Sequence, residues 1–149
     1  MLTEGSQIQF FSQNQFNSAL EINERNLIGL NFTKTIYTDS YTYKFTGGVF
    51  EEQEIYSDYS KVNLLRGNLA TSITAEVSEI DVNITLYYQP AFTNIRDYRM
   101  LGELALQFPI SEQLVFEIES ALRFDSDPHL GLLPLDFSTI IGMVYSISN

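Results

Sequence analysis

The run Asp125-Ser126-Asp127-Pro128-His129 gathers two carboxylates and the only histidine of the chain. Those are the residue types that hold a divalent cation or move protons. A cation could sit between Asp125, Asp127 and loop carbonyls, because hard divalent ions take oxygen ligands. The spacing departs from the EF-hand loop, whose sixth position needs glycine and here is Leu130. The expected reading is an Asp-Pro turn in a solvated loop. The stretch "EEQE" (Glu51–Glu54) together with Asp58 makes a second acidic patch, expected to be a solvated rim rather than a metal site. A nucleophilic triad would have to recruit His129, and no serine is placed beside it. Glu117 and Glu119 share a face, but no substrate logic accompanies the pair. "TGGVF" lies inside a strand-like segment, where glycine marks bending or close packing rather than a phosphate cradle. The chain is expected not to be an enzyme, with no catalytic residue, no cofactor and no metal.

A larger ionisable set recurs at alternate positions: Arg66, Glu76, Asp81, Arg99, Glu103, Glu117, Glu119, Arg123 and Asp136. What positions these residues is a series of segments with period two, in which successive side chains point to opposite faces. Eight such segments follow one another: Ser6–Phe16, Leu20–Thr35, Tyr41–Glu54, Leu65–Val77, Asp81–Phe92, Tyr98–Phe108, Leu114–Phe124 and Leu135–Ser148. In the sixth, Tyr98, Met100, Leu104, Leu106 and Phe108 oppose Arg99, Leu101, Glu103 and Gln107. In the seventh, Leu114, Phe116, Ile118 and Leu122 oppose Glu117, Glu119 and Arg123. The first two segments are noisier, with Ser12, Asn14, Glu24 and Asn26 on the face that should be apolar; a bulge could restore the pattern, or those ends stand clear of the apolar surroundings.

Each segment is longer than the usual strand of about 5–6 residues and matches the about 9–11 that a tilted membrane strand needs. Connections alternate in length back from the carboxyl end. Asp125–Pro134 is long, Pro109–Gln113 short, Thr93–Asp97 medium, Ser78–Ile80 short, Ile55–Leu64 long and Ile36–Ser40 short; only Asn17–Ala19 breaks the alternation. Membrane barrels pair long outer loops with short periplasmic turns in this way. Aromatics such as Tyr37, Tyr41, Phe92, Tyr98, Phe108 and Phe124 gather at segment ends, where interfacial girdles form.

The expected architecture is therefore all-β, an antiparallel up-and-down transmembrane β-barrel of about eight visible strands, complete or part of a larger barrel. One domain covers residues 1–149. The nine ionisable residues are expected to face the lumen, since Arg or Lys on the lipid face costs about 2–4 kcal/mol at the midplane. In a narrow lumen they form a paired plug; in a wider one they line a channel. The alternative is a soluble, lipocalin-like barrel with the apolar faces turned inward around a hydrophobic small molecule. A net charge of −11 and a pI near 4.3 argue against nucleic acid as a partner, whose phosphates need a basic surface, and against docking on anionic headgroups. Cysteine is absent, which excludes disulfides and thiolate metal sites. No stretch approaches the roughly 18 consecutive apolar residues of a transmembrane helix, and "MLTEGSQIQF" lacks the regions of a signal peptide.

An ordered set of fragments carries a family resemblance: "RNLIG" (Arg25–Gly29), "FTGGVFEEQE" (Phe45–Glu54), "LLRGNLATSI" (Leu64–Ile73), "LYYQPAF…DYRM" (Leu86–Met100) and "RFDSDPHLGLLPLDFSTIIGMVYSIS" (Arg123–Ser148). From about Ser6 onward the chain resembles the carboxyl-terminal two-thirds of domain-of-unknown-function family 481, which includes the salt-induced outer-membrane proteins. The resemblance implies an outer-membrane β-barrel of a Gram-negative bacterium, with membrane lipid and the barrel-assembly machinery as partners. Its role is expected to be structural or limited passage of a small solute, linked to envelope or osmotic stress. Tyr145 and Ile147 resemble the apolar alternation of a carboxyl-terminal assembly signal, although the chain ends on Ser148 and Asn149.

Overall fold

The computed structural model describes residues 3–129 and 131–146. Every segment of period two forms a strand: β1 (Thr3–Asn17), β2 (Ile22–Tyr37), β3 (Tyr41–Tyr56), β4 (Lys61–Val77), β5 (Ile80–Pro90), β6 (Tyr98–Ser111), β7 (Leu114–Asp125) and β8 (Leu135–Tyr145). A single 3-10 turn, Ser18–Leu20, joins β1 to β2. The strands make one sheet in the order β1-β2-β3-β4-β5-β6-β7-β8, each antiparallel to its neighbour. Ile147 and Ser148, expected at the end of the last strand, lie outside the described residues.

The connections 38–40, 78–79 and 112–113 lie at one end of the sheet; 57–60, 91–97 and 126–134 lie at the other with the 3-10 turn. Ser78 and Glu79 both take positive φ, 52° and 70°. That is the two-residue turn whose twist suits paired strands. The connection expected over Ile55–Leu64 is shorter than its sequence suggests. β3 runs on through Tyr56 and β4 begins at Lys61, because Val62–Ala75 keep pairing with Tyr41–Glu54.

Register fixes the two faces. Along β4–β8, from Leu65 to Tyr145, one face carries apolar and small residues with no charged side chain among the described residues. These side chains are exposed, Phe137 at 64% and Leu69 at 56%. The opposite face carries Arg66, Glu76, Asp81, Arg99, Glu103, Glu117, Glu119, Arg123 and Asp136. Its largest fully buried side chains are Arg66, Glu52 and Glu54. The usual partition of a water-soluble fold is thus reversed. Arg99 of β6 contacts Glu52 of β3, three strands away in the sheet. That reach requires the sheet to curl with its polar face concave.

Among the described residues β1 and β8 do not pair with each other, so the sheet is curled but open. The all-β, antiparallel up-and-down order is as expected, and closure into a barrel is not seen among these strands. Closure depends on strand tilt and stagger, which alternation along one strand does not encode. The noisy residues of the first two strands are also placed. Within the pairings of β1 and β2 the register shifts lie at Gln15/Asn17 and Ile22/Glu24, so no bulge moves Ser12 or Asn14. Instead Asn14 donates to Asn26 at 2.7 Å and Asn26 to Glu24 at 2.8 Å. They form a hydrogen-bonded polar tip on the outward face.

Candidate functional site

The concave face is organised around two carboxylates of β3. Its inward set runs Lys44, Thr46, Gly48, Phe50, Glu52 and Glu54, and Phe50 pairs with Gly29 of β2 and Arg66 of β4. Glu52 Oε1 accepts from Arg25 Nε at 2.8 Å and from Arg99 Nη1 at 2.5 Å; Oε2 accepts from Arg66 Nε at 2.7 Å. Glu54 Oε2 accepts from the Tyr56 hydroxyl at 2.6 Å and from Arg99 Nη2 at 3.1 Å, while Oε1 lies 3.2 Å from Arg25 Nε. The outer members are Asp97, which takes a bond from Arg66 Nη1 at 2.9 Å, and Asp125, which takes one from Arg99 Nε at 2.7 Å. Three guanidiniums and four carboxylates therefore join β2, β3, β4, β6, β7 and the 91–97 connection.

Glu52 is fully buried at 0% exposure. Moving such charges out of water costs several kcal/mol each, and their attraction returns that only when every group is hydrogen-bonded. The planar forks of arginine suit this, since each can meet two carboxylates at fixed angles. The arrangement is better read as a positioning device than as a large net source of stability.

Expected site residues separate into four groups. Arg66 and Arg99 enter the network. Glu103, Glu117 and Glu119 share the inward face of β6 and β7 away from it, where Gln107 donates to Glu117 at 2.9 Å; Glu76 and Asp81 pair in register near the short-turn end. Arg123 has Leu101 and Asp136 as its register neighbours. Among the described residues neither Arg123 nor Asp136 makes an ion pair.

Sequence reading missed Arg25, Glu52, Glu54 and Asp97. The solvated rim expected at "EEQE" is corrected: Glu52 and Glu54 are the most buried carboxylates, while Glu51 and Gln53 are exposed. Alternation from Lys44 could have shown that Glu52 and Glu54 continue the polar face. At the Asp-Pro turn the two carboxylates considered for a cation are not both free to ligate one. Asp125 is committed to Arg99 and to the Asp127 amide (3.1 Å), and no cluster of three or more metal-ligating side chains occurs among the described residues.

His129 is not simply solvated. Its ring stacks on Tyr56 with centroids 3.9 Å apart and planes 10° from parallel, and Nε2 lies 3.4 Å from Asp58. Hydrogen bonding from Ser60, together with the nearby His129, holds the Asp58 carboxyl below its usual range. The 126–134 connection thus reaches across the mouth of the sheet. Below the network, the concave face lines an open cavity of about 640 Å³ walled by residues of β1 through β7.

A family profile, described as protein of unknown function, DUF481, matches residues 9–147. The chain belongs to the DUF481 family. No curated protein and no solved structure matches it. For this DUF481 chain the family description carries no activity, so function has to be argued from the two faces and the ion network.

Proposed function

We propose that this DUF481 protein is an outer-membrane β-barrel of a Gram-negative bacterium, with lipid against its apolar face and a small polar lumen inside. The observation that carries the reading is the reversed partition: exposed Leu, Ile, Phe and Met outward, buried Arg and Glu inward. Water penalises such an outer surface, whereas hydrocarbon rewards it. The outward run of β4 from Leu65 to Val77 measures about 40 Å at roughly 3.3 Å per residue, or about 28 Å at a tilt near 45°, against an apolar band of about 25 Å. Loop lengths agree with this orientation, the longer connections lying on the outer side.

Hydrocarbon offers no partner to an open strand edge. The exposed edges of β1 and β8 therefore pair in the membrane, which completes a barrel of these eight strands or of a larger set. Biogenesis runs through the barrel-assembly machinery. The ion network plugs the loop-bearing end, so the role is structural or limited to passage of small solutes, within an envelope or osmotic response. A lipocalin-like cup needs apolar residues inside, and the concave face carries the ions instead.

The test is direct. The protein should require detergent for a monodisperse state and migrate differently on gels before and after boiling; planar-bilayer recording should give low conductance. A monomer stable in plain buffer would overturn the membrane reading.

A further inference from the structure

Arg123 differs from its neighbours. Arg25 and Arg66 are each held by two carboxylates and Arg99 by three. Arg123 is half-buried and among the described residues makes no hydrogen bond or ion pair, although Asp125 and Asp136 stand beside it around a second, smaller cavity. It lines the 640 Å³ cavity beside Arg25 and Arg99. The carboxylates that neutralise those two, Glu52, Glu54 and Asp125, do not line that cavity. Its ionic wall is therefore formed by guanidiniums, with Glu103 as the one acid. Amides of Gln13, Asn68 and Gln89 supply further polar groups, and Phe11, Leu27, Phe50 and Leu101 supply apolar wall.

A partly desolvated cation without a partner is costly, and the cost is relieved by an anion that reaches it. A volume in the range of small-molecule sites, mixed apolar and polar walls and a free planar fork suit an organic acid better than a bare inorganic anion. We propose that this cavity binds a small organic carboxylate, held by Arg123 through paired N–H···O bonds with its carbon skeleton against the Phe11–Phe50 wall. This inference rests on the concave face alone and does not require the lipid reading.

The experiment uses the full chain, folded in whichever medium it requires, at constant ionic strength. Ligand-observed NMR follows sodium benzoate against its neutral counterpart benzamide. Benzoate should saturate, with benzamide at least tenfold weaker. Arg123→Gln should weaken benzoate at least tenfold, Arg123→Lys less, and Glu103→Gln should tighten it a few-fold by removing the acid from the wall. Equal binding of benzoate and benzamide, no binding of either, or unchanged affinity in a folded Arg123→Gln variant would overturn the site. If Arg123→Gln does not fold, Glu103→Gln decides: unchanged or weaker benzoate binding overturns it.

Discussion

Glu52 is the point on which three guanidiniums converge, and its replacement shows what the network contributes. Glu52→Gln keeps the shape but removes the charge, leaving Arg25, Arg66 and Arg99 under-compensated in a buried place. Such a break costs about 3–5 kcal/mol; chemical denaturation of the folded chain should record it, while Glu51→Gln on the exposed face should lie within about 0.5 kcal/mol of the parent. A second contrast lies in adjacent glycines. A Cβ on Gly48 would stand 2.5 Å from the Leu30 carbonyl oxygen, whereas one on Gly47 would meet nothing within 4 Å. Gly48→Ala should therefore cost about 1–3 kcal/mol and Gly47→Ala little, read from the same unfolding curves. At this scale the inward placement of Arg66, Arg99 and Arg123 was legible, because each stands opposite apolar neighbours in a clean alternation. Glu52 and Glu54 were not. Three acids in four residues have the composition of a surface patch, and only the parity of β3 distinguishes the pair turned inward from Glu51.

The strands themselves were legible almost throughout, since period two survives in every one from β3 to β8. What the sequence concealed lay at the ends. Pairing in register carries β3 and β4 past the polar residues that read as a long loop. The polar side chains of the β1–β2 tip bond to one another on the outward face instead of being moved off it by a bulge. The outward face of β5 offers the sharpest test of its surroundings. Leu86 is exposed near the middle of the apolar run. Leu86→Arg should cost about 2–4 kcal/mol when the protein is folded into liposomes, measured by the urea dependence of the folded gel band. Ser138→Arg, on the inward face of β8, should be tolerated. Equal effects at the two positions would contradict lipid on the outward side.

For the whole molecule, the sheet order was legible as a meander, but closure was not, because tilt and stagger are collective properties of all strands. The cysteine-free chain allows the edges to be tested. Cysteine pairs placed on β1 at Phe10 and on β8 at Phe137 or Ile141 should give an intramolecular disulfide in at least one combination if the edges meet. Bonds found only between molecules would mean that copies share their edges. The ion network has a further consequence, for the order of events. A meander can zip one hairpin after another through contacts close along the chain, which is the fast, local route. Arg99 and Glu52 are 47 residues apart, and Arg66 and Asp97 are 31 apart, so their bonds form only when the hairpins have already curled together. Interactions made after the rate-limiting step act on unfolding rather than on folding. The arginine–glutamate knot is thus a brake on the way out: it sets how long a finished molecule lasts, while the turns and hairpins set how quickly one is made.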